Sequence, residues 1–199
     1  MKILNLFAGF SKWSENITDI IHIEFDERIA KITQILNPLS KVIIEDCYDI
    51  EIKNPGFFNK FDLILLFPPC YHNSVGGKKD RIDIMINCWI DYLNNFYNGL
   101  YCIENVVPHH KKLYKPNVKL GRHYFWSNFE IPKKEFPRIP TYKKFGRELA
   151  NIKEINWEIL KDLKGKFHNH DIKSSMLRSM IDPKIMEYIL NLAIKKFNS

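Results

Sequence analysis

An apolar run from Phe61 to Phe67 that stops at Pro68 and Pro69 constrains the fold of this chain most strongly. Such a run predicts a buried strand. Proline lacks a backbone N–H and pushes the preceding residue out of helical geometry, so the chain is expected to leave the sheet extended. Cys70 follows at once, just past the carboxyl end of the strand, where open α/β sheets bind ligands. Because a free cysteine is more often a small buried hydrophobe, a functional role for Cys70 needs support from elsewhere in the chain.

Strand and helix patterns alternate along the rest of the sequence, which predicts one doubly wound α/β domain over residues 1–199. A chain of 199 residues has room for one full core. The other predicted strands are Lys2–Phe7, Ile20–Glu24, Lys41–Ile44, Leu100–Ile103 and Arg122–Trp126. The predicted helices are Glu27–Leu36, Arg81–Tyr97, one near Ile152–Leu163, and one from Pro183 to about Phe197 with Asp182 as its cap.

Charge, apolar stretches and cysteine spacing indicate which partners this chain binds and in which cellular compartment it is found. The net charge of +7 predicts a polyanionic partner, and residues 133–175 alone hold eleven Lys/Arg against six Asp/Glu. A solvated basic face is the alternative explanation for that segment. No apolar stretch reaches the length of a membrane span, and the N-terminus fits a first strand better than a signal peptide, so we expect a cytoplasmic protein without a membrane partner. The four cysteines are scattered, which favours neither disulfides nor a metal site.

Chemically useful residues stand at the ends of five predicted strands: Gly9, Glu24, Asp46, Cys70 and Glu104. The carboxyl ends of parallel strands share one edge of a sheet, so these residues are expected to line one crevice. A glycine in the first turn lets a ligand approach the backbone. A carboxylate after the second strand is where nucleotide-binding α/β folds hold a ribose diol.

In this order and spacing, the residues resemble the motifs of the cytosine-5 DNA methyltransferases, in particular the short, phage-type members, over nearly the whole chain. The resemblance implies a Rossmann-like methyltransferase fold that binds S-adenosylmethionine. Glu24 corresponds to the ribose-binding acid, Phe25 to the side chain that packs on the adenine, and Asp46 to the acid near the adenine amino group. The cofactor residues implied in full are Phe7, Ala8, Gly9, Glu24, Phe25, Asp46, Cys47 and Pro68. Met176–Leu190 resembles the last motif of the family, whose helix packs beside the first.

The resemblance also implies the chemistry. Pro69, Cys70 and Ser74 match the nucleophile motif, Glu104-Asn105-Val106 matches the family's Glu-Asn-Val, and Arg122 falls where a catalytic-site arginine is kept. Carbon 5 of cytosine becomes nucleophilic once a thiolate adds at carbon 6, the role implied for Cys70. Glu104 is expected to bind ring nitrogen 3, and Arg122 to hold the base or its phosphate. The target base has to be flipped out of the duplex.

Three departures from the family and three alternatives accompany this hypothesis. Ser11-Lys12 replaces glycines of the first motif and is expected to crowd the methionine end of the cofactor; Ser179 replaces an asparagine, and Phe67 replaces a smaller residue. A catalytically inert DNA-binding or partner subunit and the same chemistry on RNA both stay open, whereas Phe67 and Cys70 disfavour methylation of an exocyclic amine. Residues 133–175 form a reduced target-recognition segment, so a short target sequence is expected, within DNA modification of the phage or restriction-modification kind. The oligomeric state is left open.

Overall fold

The computed structural model describes residues 1–69, 82–106, 114–136, 146–167 and 170–199; the side chains of residues 82–84, 166, 167 and 170 are outside that description. Its centre is a seven-stranded sheet with the order β3-β2-β1-β4-β5-β7-β6. The strands are β1 Ile3–Leu6, β2 Ile20–Glu24, β3 Lys41–Ile44, β4 Leu63–Leu66, β5 Leu100–Val106, β6 Val118–Leu120 and β7 His123–Ser127. A separate hairpin pairs β8 Lys166–Phe167 with β9 His170–Asp171.

The pairing confirms the predicted Rossmann-like doubly wound fold. Strands β1 to β5 are parallel. From β1 the strands are added outward in one direction as β2 and β3 and in the other as β4 and β5, so β1 and β4 are neighbours. This neighbouring pair is the switch point at which open α/β sheets open a crevice beyond their carboxyl ends. Strand β7 runs antiparallel to β5 and to β6 at the far edge.

Seven helices lie in the described part of the chain: α1 Glu27–Leu36, α2 Cys47–Lys53, α3 Ile82–Phe96, α4 Gly146–Ile152, α5 Trp157–Leu160, α6 Ile172–Ser179 and α7 Pro183–Phe197. An aspartate caps several of them, because its carboxylate accepts from an otherwise unpaired amide of the first turn. Asp26 accepts from Arg28 N in α1, and Asp182 accepts from Lys184 N in α7, which begins at the predicted Pro183.

The two faces of the sheet bury separate cores. Helices α2 and α3 cover one face, where Leu4, Leu6, Ile64 and Leu66 are fully buried. Helix α7 covers the other face, over the alternate residues of the same strands. A third core joins Phe10 and the apolar side of α1 to helices α4, α5 and α6. The basic segment is therefore packed onto the domain through its apolar residues.

Several local predictions need correction. The helix expected near Ile152–Leu163 is only the four-residue α5, since α4 ends at Ile152 and the chain turns at Glu154, whose φ is 54°. Strand β5 continues to Val106 instead of ending at Ile103, because β7 supplies hydrogen-bonding partners beyond the end of β4. Helix α2 and strand β6 had no counterpart among the predicted elements.

The described residues contain neither a candidate membrane span nor a candidate metal site. None of the helices there is long and apolar enough to cross a membrane. Within the same part of the chain, no group of three or more His, Cys, Asp and Glu side chains is arranged to hold a metal ion.

Candidate active site

The strand register places four candidate residues in one row at the carboxyl edge of the sheet. Leu6 pairs with Ile23 and with Leu66, and Leu66 pairs with Ile103. The next residue of each strand therefore extends the row as Glu24, Phe7, Phe67 and Glu104. Three interstrand spacings separate Glu24 from Glu104, a distance of about 14 Å at the usual spacing. The predicted cofactor acid and the predicted catalytic acid thus lie at the two ends of this row.

Glu24 and Gly9, at the first end of the row, are in direct contact. Gly9 N donates to Glu24 Oε2 at 2.9 Å, and Asp26 N donates to Glu24 Oε1 at 3.0 Å. Burial raises the pKa of the Glu24 carboxyl, while the amides of Asp26 and Gly9 act in the opposite direction. Gly9 has a φ of 54°, and a Cβ added to it would lie 3.2 Å from Met176 Cε. Glycine is favoured here by its backbone conformation, and a larger residue would also have to displace the terminal methyl of Met176.

Contacts of Phe7 with Cys47 stabilise the turn that follows β1. Phe7 has a φ of 56°, which is uncommon for a residue with a side chain. Its N–H donates to Cys47 Sγ at 3.4 Å, and its ring packs edge-on against Trp89 at 6.2 Å between centroids. Burial raises the pKa of the Cys47 thiol to about 12, so Cys47 acts here as a neutral packing and acceptor group. Ala8 N donates to Ile23 O at 3.0 Å and ties the turn to β2.

Ser11 points into the protein and away from the crevice. It is 2% exposed, its Oγ accepts from Asn5 Nδ2 at 2.9 Å, and the same hydroxyl donates to the carbonyl of Ala8. The crowding of a cofactor by Ser11-Lys12 stays a prediction, and the buried position of the Ser11 hydroxyl argues against it. Lys12, by contrast, points outward from the turn, and its ammonium donates to the carbonyl of Glu154.

The remaining predicted cofactor residues take different positions. Phe25 is 72% exposed, directly after Glu24, and so presents an apolar ring beside the predicted ribose acid. Asp46 is the N-cap of α2, where its carboxylate accepts from Tyr48 N at 2.9 Å. Ser179, at the end of α6, donates to the carbonyl of Met176 at 2.9 Å.

A hydrogen bond joins the Pro-Pro stretch to the Glu-Asn-Val stretch. Asn105 Nδ2 donates to Pro68 O at 2.9 Å, and both residues are buried. This bond crosses from the end of β4 to the neighbouring β5. Cys70 and Ser74 lie outside the described residues.

Glu104, at the second end of the row, belongs to a chain of three polar side chains. The carboxylate is 6% exposed and contacts Nδ1 of His123, which is itself 4% exposed. Arg122 Nε donates to the other ring nitrogen, His123 Nε2, at 3.3 Å. The sequence prediction included Glu104 and Arg122 but missed His123. No local pattern marks His123, because the pairing of β7 with β5 brings it to Glu104.

Positive charge surrounds the end of α6 next to this chain. Arg122 Nη2 donates to the carbonyl of Arg178, and Lys153 Nζ donates to Met180 O at 2.7 Å. Lys153 is 7% exposed; burial, aided by the charge of Arg122, lowers the pKa of its ammonium to about 8. The basic segment thus reaches the predicted catalytic arginine through Lys153.

Comparison with known proteins adds distant structural similarities. No protein-family model and no curated protein matches the chain. Similar solved structures include a SAM-dependent methyltransferase from Agrobacterium tumefaciens, at 18% identity over 55% of this chain and 40% of that one, with a TM-score of 0.42. A hypothetical protein from Thermus thermophilus is 14% identical over 65% of this chain and 75% of that one, with a TM-score of 0.46. A mutant of DNMT2 from Spodoptera frugiperda is 21% identical over 53% of this chain and 35% of that one, with a TM-score of 0.38.

The aligned part of the chain spans less than half of the Agrobacterium and Spodoptera structures. The assignment of the fold rests on the strand order and register given above. Any activity of the chain has to be argued from its own residues.

Proposed function

We propose that this protein transfers a methyl group from S-adenosylmethionine to carbon 5 of cytosine in DNA, with Cys70 as the nucleophile. The observation that carries the proposal is the bond from Asn105 Nδ2 to Pro68 O, at 2.9 Å. It joins the two stretches whose order and spacing resemble the cytosine-5 methyltransferases. Cys70 follows the anchored Pro68 by two positions, and Glu104 immediately precedes Asn105.

The first end of the row fits S-adenosylmethionine. A carboxylate has about four acceptor positions, and the amides of Gly9 and Asp26 use two at Glu24, which leaves acceptors for two ribose hydroxyls. The exposed ring of Phe25 offers a surface on which an adenine can stack, and Asp46 and Pro68 complete the implied set. When bound, S-adenosylmethionine supplies an electrophilic methyl group.

The second end of the row carries the proposed chemistry on the base. The Cys70 thiolate forms a bond to carbon 6, the electron pair of the 5,6 double bond moves toward the ring amidine, and nitrogen 3 takes a proton from Glu104. Carbon 5 is then nucleophilic and receives the methyl group, which leaves S-adenosylhomocysteine. Transfer of the carbon 5 proton to water acting as the base restores the double bond, expels the Cys70 thiolate and returns the proton of nitrogen 3 to Glu104.

The other cysteines support Cys70 by elimination. Burial raises the pKa of Cys102 and Cys47, so neither thiol supplies a thiolate near neutral pH. Cys88 is exposed on α3, outside the row at the sheet edge. The Ser11 hydroxyl is engaged with Asn5 and Ala8, which supports the enzyme over an inert relative.

A duplex containing 5-fluorocytosine in many sequence contexts tests the proposal. Fluorine does not leave carbon 5 as a proton does, so the enzyme remains attached after methyl transfer. We expect a covalent complex that survives denaturing electrophoresis and requires S-adenosylmethionine for full yield. Cys70→Ser should abolish it, and Cys88→Ser, a matched change at an exposed thiol, should leave it intact.

The same assay identifies the alternatives. Trapping on a fluorinated transfer RNA but not on the duplex would assign the chemistry to RNA. A complex that persists in Cys70→Ser would move the nucleophile elsewhere. Absence of a complex in a preparation shown to bind both S-adenosylmethionine and DNA would leave an inert DNA-binding relative.

A further inference from the structure

The hydrogen bonds among Arg122, His123 and Glu104 determine which nitrogen of the His123 ring carries a proton. Arg122 Nε carries a hydrogen that it cannot lose in a protein, so the contact at 3.3 Å makes His123 Nε2 the acceptor. The other nitrogen, Nδ1, must then hold the ring proton. Nδ1 faces Glu104 Oε1, and the hydrogen bond therefore runs from His123 Nδ1–H to Oε1, so that only the other carboxyl oxygen can carry the proton for nitrogen 3. The His123 ring thus receives one hydrogen bond at Nε2 and donates another from Nδ1.

Packing leaves this ring little freedom to rotate. His123 is 4% exposed, and its ring lies beside that of Phe125 at 6.5 Å between centroids. Its backbone pairs with Val106 in β5, two residues beyond Glu104. Among the residues that the structure describes, the charged groups in contact with the ring are Glu104 on β5 and Arg122 on the β6–β7 turn. The ring of His123, which accepts a hydrogen bond from Arg122 at Nε2, consequently sets the orientation of the Glu104 carboxyl.

Arg122 itself is anchored at two points. Besides His123, it donates through Nη2 to the carbonyl of Arg178 at the end of α6. Two of its five N–H groups are thus committed within the protein in a fixed fork geometry. This arrangement suits a support for the ring of His123 better than a direct grip on a substrate.

We propose that His123 is the positioning residue for the catalytic carboxyl of Glu104, and that Arg122 acts on this carboxyl through His123. The inference rests on the proposed function, since it concerns delivery of the proton to nitrogen 3. By occupying Oε1, the Nδ1–H of His123 directs the second oxygen of Glu104 toward the base. Without that bond, a carboxyl at the end of a flexible side chain samples several rotamers, and a shift of about 1 Å costs on the order of 100-fold in rate.

Two substitutions separate the roles of the two ring nitrogens. In His123→Asn the amide nitrogen occupies the place of Nδ1 and can still donate to Glu104. In His123→Gln the amide reaches the place of Nε2, near Arg122, and Glu104 loses its donor. The readout is the rate of covalent trapping on the 5-fluorocytosine duplex with both DNA and S-adenosylmethionine saturating. We expect His123→Asn to stay within about threefold of wild type and His123→Gln to fall by on the order of 100-fold, with unchanged affinities for both ligands.

A double substitution tests the order of the chain. If Arg122 acts through His123, trapping by Arg122→Ala/His123→Gln should be no slower than by His123→Gln alone. Losses that add would instead assign Arg122 a direct contact with the substrate and overturn that part of the proposal. Equal rates for His123→Asn, His123→Gln and wild type would overturn the positioning role. A wild-type protein that fails to trap would contradict the proposed function itself, a result distinct from both.

Discussion

Glu24 is a carboxyl group on which burial and hydrogen bonding act in opposite directions. Burial, the larger effect, raises its pKa, whereas the amides of Asp26 and Gly9 stabilise the ionised form. Because the raised pKa brings protonation to a higher pH, the acceptors that a ribose would use are lost earlier on acidification than at an ordinary glutamate. Binding of S-adenosylmethionine should therefore weaken as the pH falls through the raised pKa of Glu24.

Replacement of Glu24 tests this role directly. We expect Glu24→Ala to weaken S-adenosylmethionine binding by roughly 1–3 kcal/mol, the usual contribution of hydrogen bonds to a charged group. Isothermal titration calorimetry on the two proteins measures the difference. Glu27→Ala is the control, since it removes the same charge from the exposed first turn of α1. Equal affinities for wild type and Glu24→Ala would exclude Glu24 from the cofactor site.

Strands formed by apolar runs and helices with a capping residue could be predicted from the sequence, because the residues that determine them are adjacent in the chain. The strand Ile20–Glu24 and the helix Glu27–Leu36 have the predicted bounds, as does β3. Strand β6 has three residues, and its existence depends on pairing with β7, which no local pattern records. The direction of the Ser11 side chain is likewise set by a tertiary partner, Asn5.

The same limit applies to the candidate site. Glu24 and Gly9 were placed correctly beside each other because both follow parallel strands that share an edge. His123 was missed because its importance comes from the pairing of β7 with β5, which brings it to Glu104. The nucleophile assignment for Cys70 remains a prediction from the sequence.

The turn between β1 and β2 stands on a buried polar network centred on His22. Asn5 Nδ2 donates to His22 Nδ1 at 2.8 Å, so the ring proton is on Nε2, which faces Ser14 Oγ at 3.3 Å. Ser14 in turn donates to Asn37 Oδ1 at 2.6 Å, which links the turn to the end of α1. The network needs a neutral imidazole, and burial lowers the pKa of His22 to about 4.

This network predicts acid sensitivity of the fold. Above the ordinary histidine pKa of about 6.5, His22 is neutral in both the folded and the unfolded chain. Between about 6.5 and 4 only the unfolded chain takes up the proton, so the free energy of unfolding should fall with pH by up to roughly 3 kcal/mol. Urea unfolding at several pH values measures the slope. His22→Gln should be less stable at neutral pH and should lose this part of the slope; an unchanged slope would assign the acid sensitivity to other groups.

Positive charge and apolar packing are combined in the basic segment. Its inner side contributes Leu149, Leu160 and Leu163 to the core shared with α1, while Arg147 and Lys161 are exposed. Two aromatic rings support lysines from below: Lys134 lies over Tyr188 at 4.8 Å, and Lys173 lies over Trp157 at 5.1 Å. A surface of this composition suits the phosphates of a nucleic acid.

Salt dependence measures how many of these charges meet phosphates. Each ion pair with a phosphate should contribute about 0.9 to the slope of log affinity against log salt concentration for duplex DNA. Joint replacement of Lys143, Lys144 and Arg147 by glutamine should flatten the slope by about that amount for each side chain that pairs with a phosphate in the wild type. The matched control is the same replacement at Lys41, Lys195 and Lys196, which are exposed on β3 and α7. Equal slopes for the two triple variants would identify the segment as a solvated face.

The core that joins the first turn to helices α4 to α6 has a consequence for chimeric proteins. Phe10 lies in that core, Met176 closes on Gly9, and Lys12 binds the carbonyl of Glu154. Residues 146–180 are thus not an exchangeable module carried at the end of a linker. A segment transplanted in its place has to bring a matching Phe10, Lys12 and apolar side of α1 with it, or it will distort the turn beside Glu24.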